Sequence, residues 1–191
     1  ISSQMLENAT LAGRLFGVGS GKYDTLIFPW PAAVVPKAWE NVKQCAHNGG
    51  KVVFFGIPGI ETIEGDDIRT DFAALVGIEP LSLHDYKLFG PEDVVACGQI
   101  RSKLDPEKYE PEYYCQPEMY YAVPRYYPLS PVDSEPVAIM NSEIIAVKRS
   151  NLNVWYFSFD FPLFGGLSRE IFATTGLKST IDVPEGMIYQ T

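Results

Sequence analysis

Between Tyr23 and Gly59 the chain reads as a strand, a helix and a second strand, and that succession limits the folds open to it. Tyr23–Phe28 is an apolar run closed by Pro29. Pro36 suits the first position of a helix, where a missing N–H leaves no bond unmade. The helix expected over about 36–48 puts Trp39, Val42 and Ala46 on one face and stops at Asn48-Gly49-Gly50. Lys51–Gly56 (KVVFFG) is continuously apolar after the lysine, the pattern of a strand buried on both faces of a parallel sheet. A further helix is expected over about 67–76, with Ile68, Phe72 and Leu75 on one side and Gly77 at its end. Alternating strands and helices are the rhythm of an α/β domain.

The flanks extend this pattern. Residues 2–12 read as a short helix with Met5, Ala9 and Ala12 on one face, followed by a turn at Gly19-Ser20-Gly21. Late in the chain, Pro136–Met140 and Ile144–Lys148 form an expected hairpin around Asn141-Ser142. Val154–Asp160 alternates as a strand, and Arg169–Thr175 is a helix closed by Gly176. Ile181–Met187 reads as an extended linker, so the division expected is a domain over 1–180 and a linker over 181–191 to a following domain. Residues of about 87–135 break the rhythm: they hold seven of the eleven tyrosines and have no period. A stretch this aromatic is expected to be an ordered insertion over one end or face of the sheet rather than a disordered linker.

With 191 residues, 46% apolar and 20% charged, the chain can bury a core without a metal or disulfide staple. No apolar run approaches the roughly 20 residues of a membrane-spanning helix. Fifteen basic against twenty-four acidic residues give a net charge of −9, which repels phosphate backbones and anionic lipid. Nucleic acid and membrane are therefore not expected partners. Three cysteines without a CxxC and two histidines do not make a zinc site of the usual kind, and no cofactor is expected.

The segments GKYDTLIFPWP and NGGKVVFFGIPG, joined by a helix, together with VWYFSFDFP, IDVPEGM and the opening ISSQMLE, carry a resemblance. They resemble the glutamine-amidotransferase-like domains that accompany large glycoside hydrolases: the trimerisation domain of certain beta-galactosidases and its counterpart in alpha-L-rhamnosidase-type enzymes. The resemblance covers about two thirds of the chain and leaves the tyrosine-rich insertion outside it. It implies a flavodoxin-like, class I glutamine-amidotransferase-like three-layer α/β fold with a mainly parallel sheet. It also implies a secreted or periplasmic parent enzyme. Members open with an apolar strand central in the sheet, and nothing of that kind stands here before the first helix. The expectation is either a piece of a longer polypeptide or another segment in that strand's place.

True amidotransferases of this fold carry a cysteine on the turn after the strand matching Lys51–Gly56, and a histidine and glutamate after a later strand. Such a turn needs small residues around an exposed thiolate. Here it reads Gly56-Ile57-Pro58-Gly59, with Pro58 about where the nucleophile would be, and Phe159-Asp160-Phe161-Pro162 supplies no histidine. No catalytic residue is expected. The GVGSGK run lacks the first glycine and the Ser/Thr of a phosphate loop, and Lys22 replaces the third glycine of a dinucleotide fingerprint. It is a turn.

Glu61, Glu64, Asp66, Asp67 and Asp71 do not follow a calcium-loop spacing, and Asp66 or Asp67 is expected to cap the helix behind them. Pro58, Glu61 and Asp160 are candidates for a strand-end pocket, because ligands of open α/β sheets sit at the carboxyl ends of strands. Cys45 is expected to pack, Cys97 and Cys115 remain open to pairing, and His84 is expected to be solvated. The Asn8-Ala9-Thr10 sequon is discounted because it falls within the expected first helix.

Trp30, Tyr109, Tyr113, Tyr114, Tyr120, Tyr121, Tyr126 and Tyr127 are the binding or interface candidates. Their rings suit surfaces that are apolar on one side and wet on the other. They can pack the insertion onto the sheet, meet another subunit or domain, or stack on sugar rings. The expected function is a non-catalytic scaffolding or oligomerisation domain of a carbohydrate-active enzyme. Its expected partners are the parent's other domains or further copies of the chain. A carbohydrate-binding module and a small glycan hydrolase with an unrecognised carboxylate site are the alternatives.

Overall fold

Lys51–Phe55 is the strand on which the architecture turns: its last four residues are fully buried, alternate ones facing opposite sides of a sheet. The computed structural model describes residues 3–29, 33–88, 93–97, 100–103, 125–159 and 166–176. In chain order the elements are α1 (Ser3–Glu7), β1 (Thr10–Ala12), β2 (Leu15–Val18), β3 (Gly21–Tyr23), β4 (Thr25–Pro29), β5 (Ala33–Val34) and α2 (Pro36–His47). They continue with β6 (Lys51–Phe55), β7 (Glu61–Thr62), α3 (Arg69–Val76), β8 (Lys87–Leu88), β9 (Val94–Cys97), β10 (Ile100–Lys103) and β11 (Arg125–Tyr126). The last are β12 (Ser134–Met140), β13 (Glu143–Arg149), β14 (Val154–Phe157) and α4 (Gly166–Thr175).

Among the described residues, seven strands form the main sheet in the order β10-β9-β12-β13-β14-β6-β4. β4, β6 and β14 run parallel, with Leu26, Val52 and Val154 in register; every other pairing is antiparallel. The sheet is therefore mixed and not mainly parallel, which corrects the expectation. The reason is local: β12 and β13 are joined by a two-residue turn, which only antiparallel strands can use. Asn141 and Ser142 take φ 48° and 70°, as that turn requires.

Two buried clusters make three layers. Leu26, Val52, Phe54, Val154 and Tyr156 pack with Trp39 and Val42 of α2 and Phe72 and Leu75 of α3. On the other face Val53, Phe55, Trp155 and Phe157 pack with Ile171 of α4. Helix α2 begins with Pro36 as expected, and the backbone turns into β6 through Gly49 at φ 85°. Gly50 follows, where a Cβ would collide with the Cys45 Sγ. α3 ends at Gly77, left-handed at φ 80°. Its N-cap is Ile68 with no side-chain cap; Asp67 instead accepts the Arg69 N–H at 2.9 Å.

The opening segment differs more. The helix stops at Glu7, and Thr10–Tyr23 is a three-stranded meander, β1-β2-β3, anchored by the buried Phe16. Met5 is exposed and Leu6 is buried, so the expected face is wrong. Asn41 fixes α1 to α2 by donating to the Leu6 carbonyl at 2.8 Å. Asn8 lies in the exposed turn after α1, not inside a helix. β14 does not alternate between core and solvent; all four residues are buried. Among the described residues no helix is long and apolar enough to cross a membrane.

Candidate functional site

At the carboxyl ends of the parallel strands the chain folds over itself. The Gly56 N–H, just past β6, points to the Phe157 and Phe159 carbonyls at 3.0 and 2.9 Å. The Gly56 carbonyl accepts the Tyr156 hydroxyl at 2.9 Å in a fully buried bond. Pro58 and Gly59 are buried too, and a Cβ on Gly59 would lie 2.7 Å from the Phe72 ring. The Gly56–Gly59 turn is thus a filled plug with Pro58 inside it. Glu61 is exposed on β7, paired with Ala33 of β5 and bridged to Asp67. Asp160 lies outside the described residues.

Three members of the neighbouring acidic run, Asp66, Asp67 and Asp71, are held by local bonds. Asp66 accepts the Thr62 N–H at its backbone oxygen, 2.8 Å away, and returns its own N–H to the Thr62 hydroxyl at 3.1 Å. Asp67 pairs with Arg69, whose hydrogen bonds pull its carboxyl down to about 2. Asp71 pairs with Lys43 at 2.7 Å, and Lys43 also reaches Glu40 at 2.8 Å. Burial pulls the Lys43 ammonium down, but these bonds outweigh it and leave its pKa raised. Among the described residues no group of three or more His, Cys, Asp or Glu is placed to hold a metal ion.

Of the aromatic candidates, only Tyr126 and Tyr127 fall within the described residues; Trp30, Tyr109, Tyr113, Tyr114, Tyr120 and Tyr121 lie outside them. Tyr126 and Tyr127 are 4% and 0% exposed, so neither offers a face to a ligand or partner. Both sit beside the end of β14, where Tyr126 bridges Phe159 and the Tyr127 N–H meets the Ser158 carbonyl at 3.1 Å. Tyr126 donates its hydroxyl to Glu143 at 2.9 Å, and burial first, then the carboxylate, pushes the phenol's pKa up. Lys87 pairs with the other oxygen of Glu143, holding that carboxyl below its ordinary range.

β8 and β11 pair as a two-stranded ribbon, Lys87 opposite Tyr126 and Leu88 opposite Arg125. Glu143 therefore ties both strands of that ribbon to β13. Arg125 lies 5.9 Å over the half-exposed ring of Tyr86. Tyr86, Arg125 and Glu143 were missed by sequence reasoning, and no local spacing in the sequence links the three. The insertion itself is partly sheet, since β10 lies at the far edge with β9 between it and β12, and Cys97 is buried in β9. Cys115 lies outside the described residues. Cys45 is buried as expected, and burial, helped by the Asp24 charge, pushes its thiol up to about 11. His84 is exposed in a turn.

At the opposite edge, no strand among the described residues pairs with the outer side of β4. Ile27, at its middle, is 49% exposed. Beside it a shallow depression of about 600 Å³ is bordered by Arg14, Asp24, Lys51 and Gly176. Lys51 donates to the Thr175 carbonyl at 2.6 Å at the end of α4.

The architecture has counterparts among solved structures. A beta-galactosidase from Bacillus circulans sp. alkalophilus matches 85% of this chain with a TM-score of 0.54 and 15% identity. A GH42 beta-galactosidase from G. stearothermophilus matches 72% with a TM-score of 0.52 and 14% identity. These matches span only 24% and 19% of the respective beta-galactosidase chains. At such identities the likeness is one of fold: a layered α/β unit that also occurs within larger glycoside hydrolase chains. No family model matches this chain, and no curated protein does.

Proposed function

We propose that this chain is a non-catalytic scaffolding or oligomerisation domain of a carbohydrate-active enzyme, packed against other domains of its parent or against further copies of itself. The observation that carries this reading is the fold likeness to one part of much longer beta-galactosidase chains. The plug at Gly56–Gly59 adds to it, since a buried Pro58 occupies the turn on which related chemistry would depend. The outer edge of β4, which no strand among the described residues pairs and where Ile27 is exposed, is the kind of surface that natural sheets cover or blunt. A stable contact there would bury on the order of 1,600 Å² in total.

The test is light scattering behind size exclusion over a concentration series of the chain, with a panel of chromogenic glycosides assayed in parallel. The expected result is a dimer or trimer and no turnover. Turnover that disappears in Asp160→Asn would overturn the non-catalytic reading. A monomer that binds oligosaccharides saturably, with binding lost on Tyr120→Ala with Tyr121→Ala, would replace scaffolding by glycan recognition.

A further inference from the structure

Asn48 is the one asparagine of this chain that is followed by glycine. It closes α2 as the C-cap residue, at φ −82° and ψ 7°, and Gly49 behind it stands at φ 85°. Both residues are exposed. Other asparagine side chains are engaged: Asn41 donates to Leu6, Asn141 to Asp93, Asn151 accepts from Arg149 and Asn153 from Trp155. The Asn48 carboxamide has no hydrogen-bond partner among the described residues. Nothing lies within 4 Å of where a Gly49 side chain would start, so the connection has room to change conformation.

We propose that Asn48 is a site of spontaneous deamidation and isoaspartate formation. The Gly49 backbone nitrogen attacks the Asn48 Cγ; the new N–Cγ bond closes a five-membered succinimide as the bond to the side-chain nitrogen breaks and ammonia leaves. Water then opens the ring at either carbonyl, giving aspartate or isoaspartate. Solvent water is the only co-reactant and nothing is oxidised or reduced. Glycine is the least hindering residue on the attacking side, having no Cβ to crowd the ring. The native bond that must open first is Gly49 N–H to the Ala46 carbonyl, 3.0 Å, in the last turn of α2. Helix ends are where such bonds open most readily.

The product would matter to the fold. Either acid puts a new negative charge at the carbonyl end of α2, where the helix dipole disfavours it. Isoaspartate also lengthens the main chain by one carbon in a connection of only three residues. That connection is held at its far side by Gly50 N–H to the Cys45 carbonyl at 2.9 Å, just before β6 enters the sheet.

The experiment is a timed incubation of the folded protein at mildly alkaline pH, followed by peptide mapping and labelling with an isoaspartyl methyltransferase. The expected result is conversion of the Asn48 peptide to two acid forms, with the amide-to-acid mass gain, before any other asparagine changes. The methyl label should fall on that peptide and be lost in Asn48→Gln. If the Asn48 peptide stays amidated in the folded protein while the urea-unfolded chain converts, the native helix end protects it and the proposal is wrong. Faster conversion at Asn141 or another asparagine would also overturn it.

Discussion

The aromatic cluster under α2 and α3 sets a quantitative expectation for Phe72→Ala. The ring is 1% exposed and lies 5.1 Å from Tyr156, 5.2 Å from Phe54 and 6.3 Å from Trp39 between centroids. Truncating a buried phenylalanine costs about 3–5 kcal/mol through lost transfer energy and the cavity left behind. Ring pairs add about 0.5–1.5 kcal/mol each beyond area, though not additively, so the upper part of that range applies. For a chain of this length that corresponds to a fall in Tm of about 8–20 °C. Urea unfolding followed by tryptophan fluorescence reads it directly, because Trp39 stacks on the altered site. Ile63→Ala, at a residue 66% exposed, serves as the control and should stay within about 0.5 kcal/mol. Phe72→Leu, which keeps most of the volume, guards against a variant that does not fold. A Phe72→Ala loss below about 1.5 kcal/mol would refute the packing of α3 onto this face.

Two further outcomes follow from single residues. Gly77→Ala should destabilise by about 1–3 kcal/mol, because φ is 80° and the new Cβ would meet Arg149 at 2.8 Å; a chemical melt checks it. Lys87 and Tyr126 hold the folded-state pKa of Glu143 below its unfolded value. Its contribution is therefore present above the unfolded glutamate range of about 4.3 and is lost as pH falls through the depressed value. Because the pair is solvent-screened, wild type should exceed Glu143→Gln by less than about 1 kcal/mol near neutral pH, and the gap should close in acid; melts across pH measure it.

Much of the central layer was legible because its punctuation is strong. Pro36, the glycine pair after Asn48, Gly77 and Asn141-Ser142 each demand a backbone state that few elements tolerate, and α2, β6, α3 and the β12–β13 hairpin fall where they indicate. The opening segment was misread because strands of three or four residues give too short a window to separate a period of 2 from one of 3.6. β9 and β10 were hidden for a related reason: Val94–Cys97 is a short apolar run that periodicity alone does not assign. The site was less legible than the fold. Tyrosine is at home both inside and at a wet surface, and nothing in the local spacing says that Tyr126 and Tyr127 are buried against β14. The Gly56–Gly59 turn was read as lacking a nucleophile, but its filling by Phe72 and Tyr156 depends on contacts distant in sequence.

The mixed character of the sheet also orders events in time. β12 and β13 can meet through a two-residue turn as soon as they exist, and β14 follows β13 after a few residues. The β6–β14 ladder instead joins Val52 to Val154, segments about one hundred residues apart, and closing a loop of that length costs roughly 4 kcal/mol of chain entropy before any contact rewards it. The antiparallel half is therefore expected to assemble first and present β14 as a template on which β6, already carrying β4, docks late. A kinetic study should find substitutions in the hairpin slowing folding, whereas those along the β6–β14 seam should mainly speed unfolding.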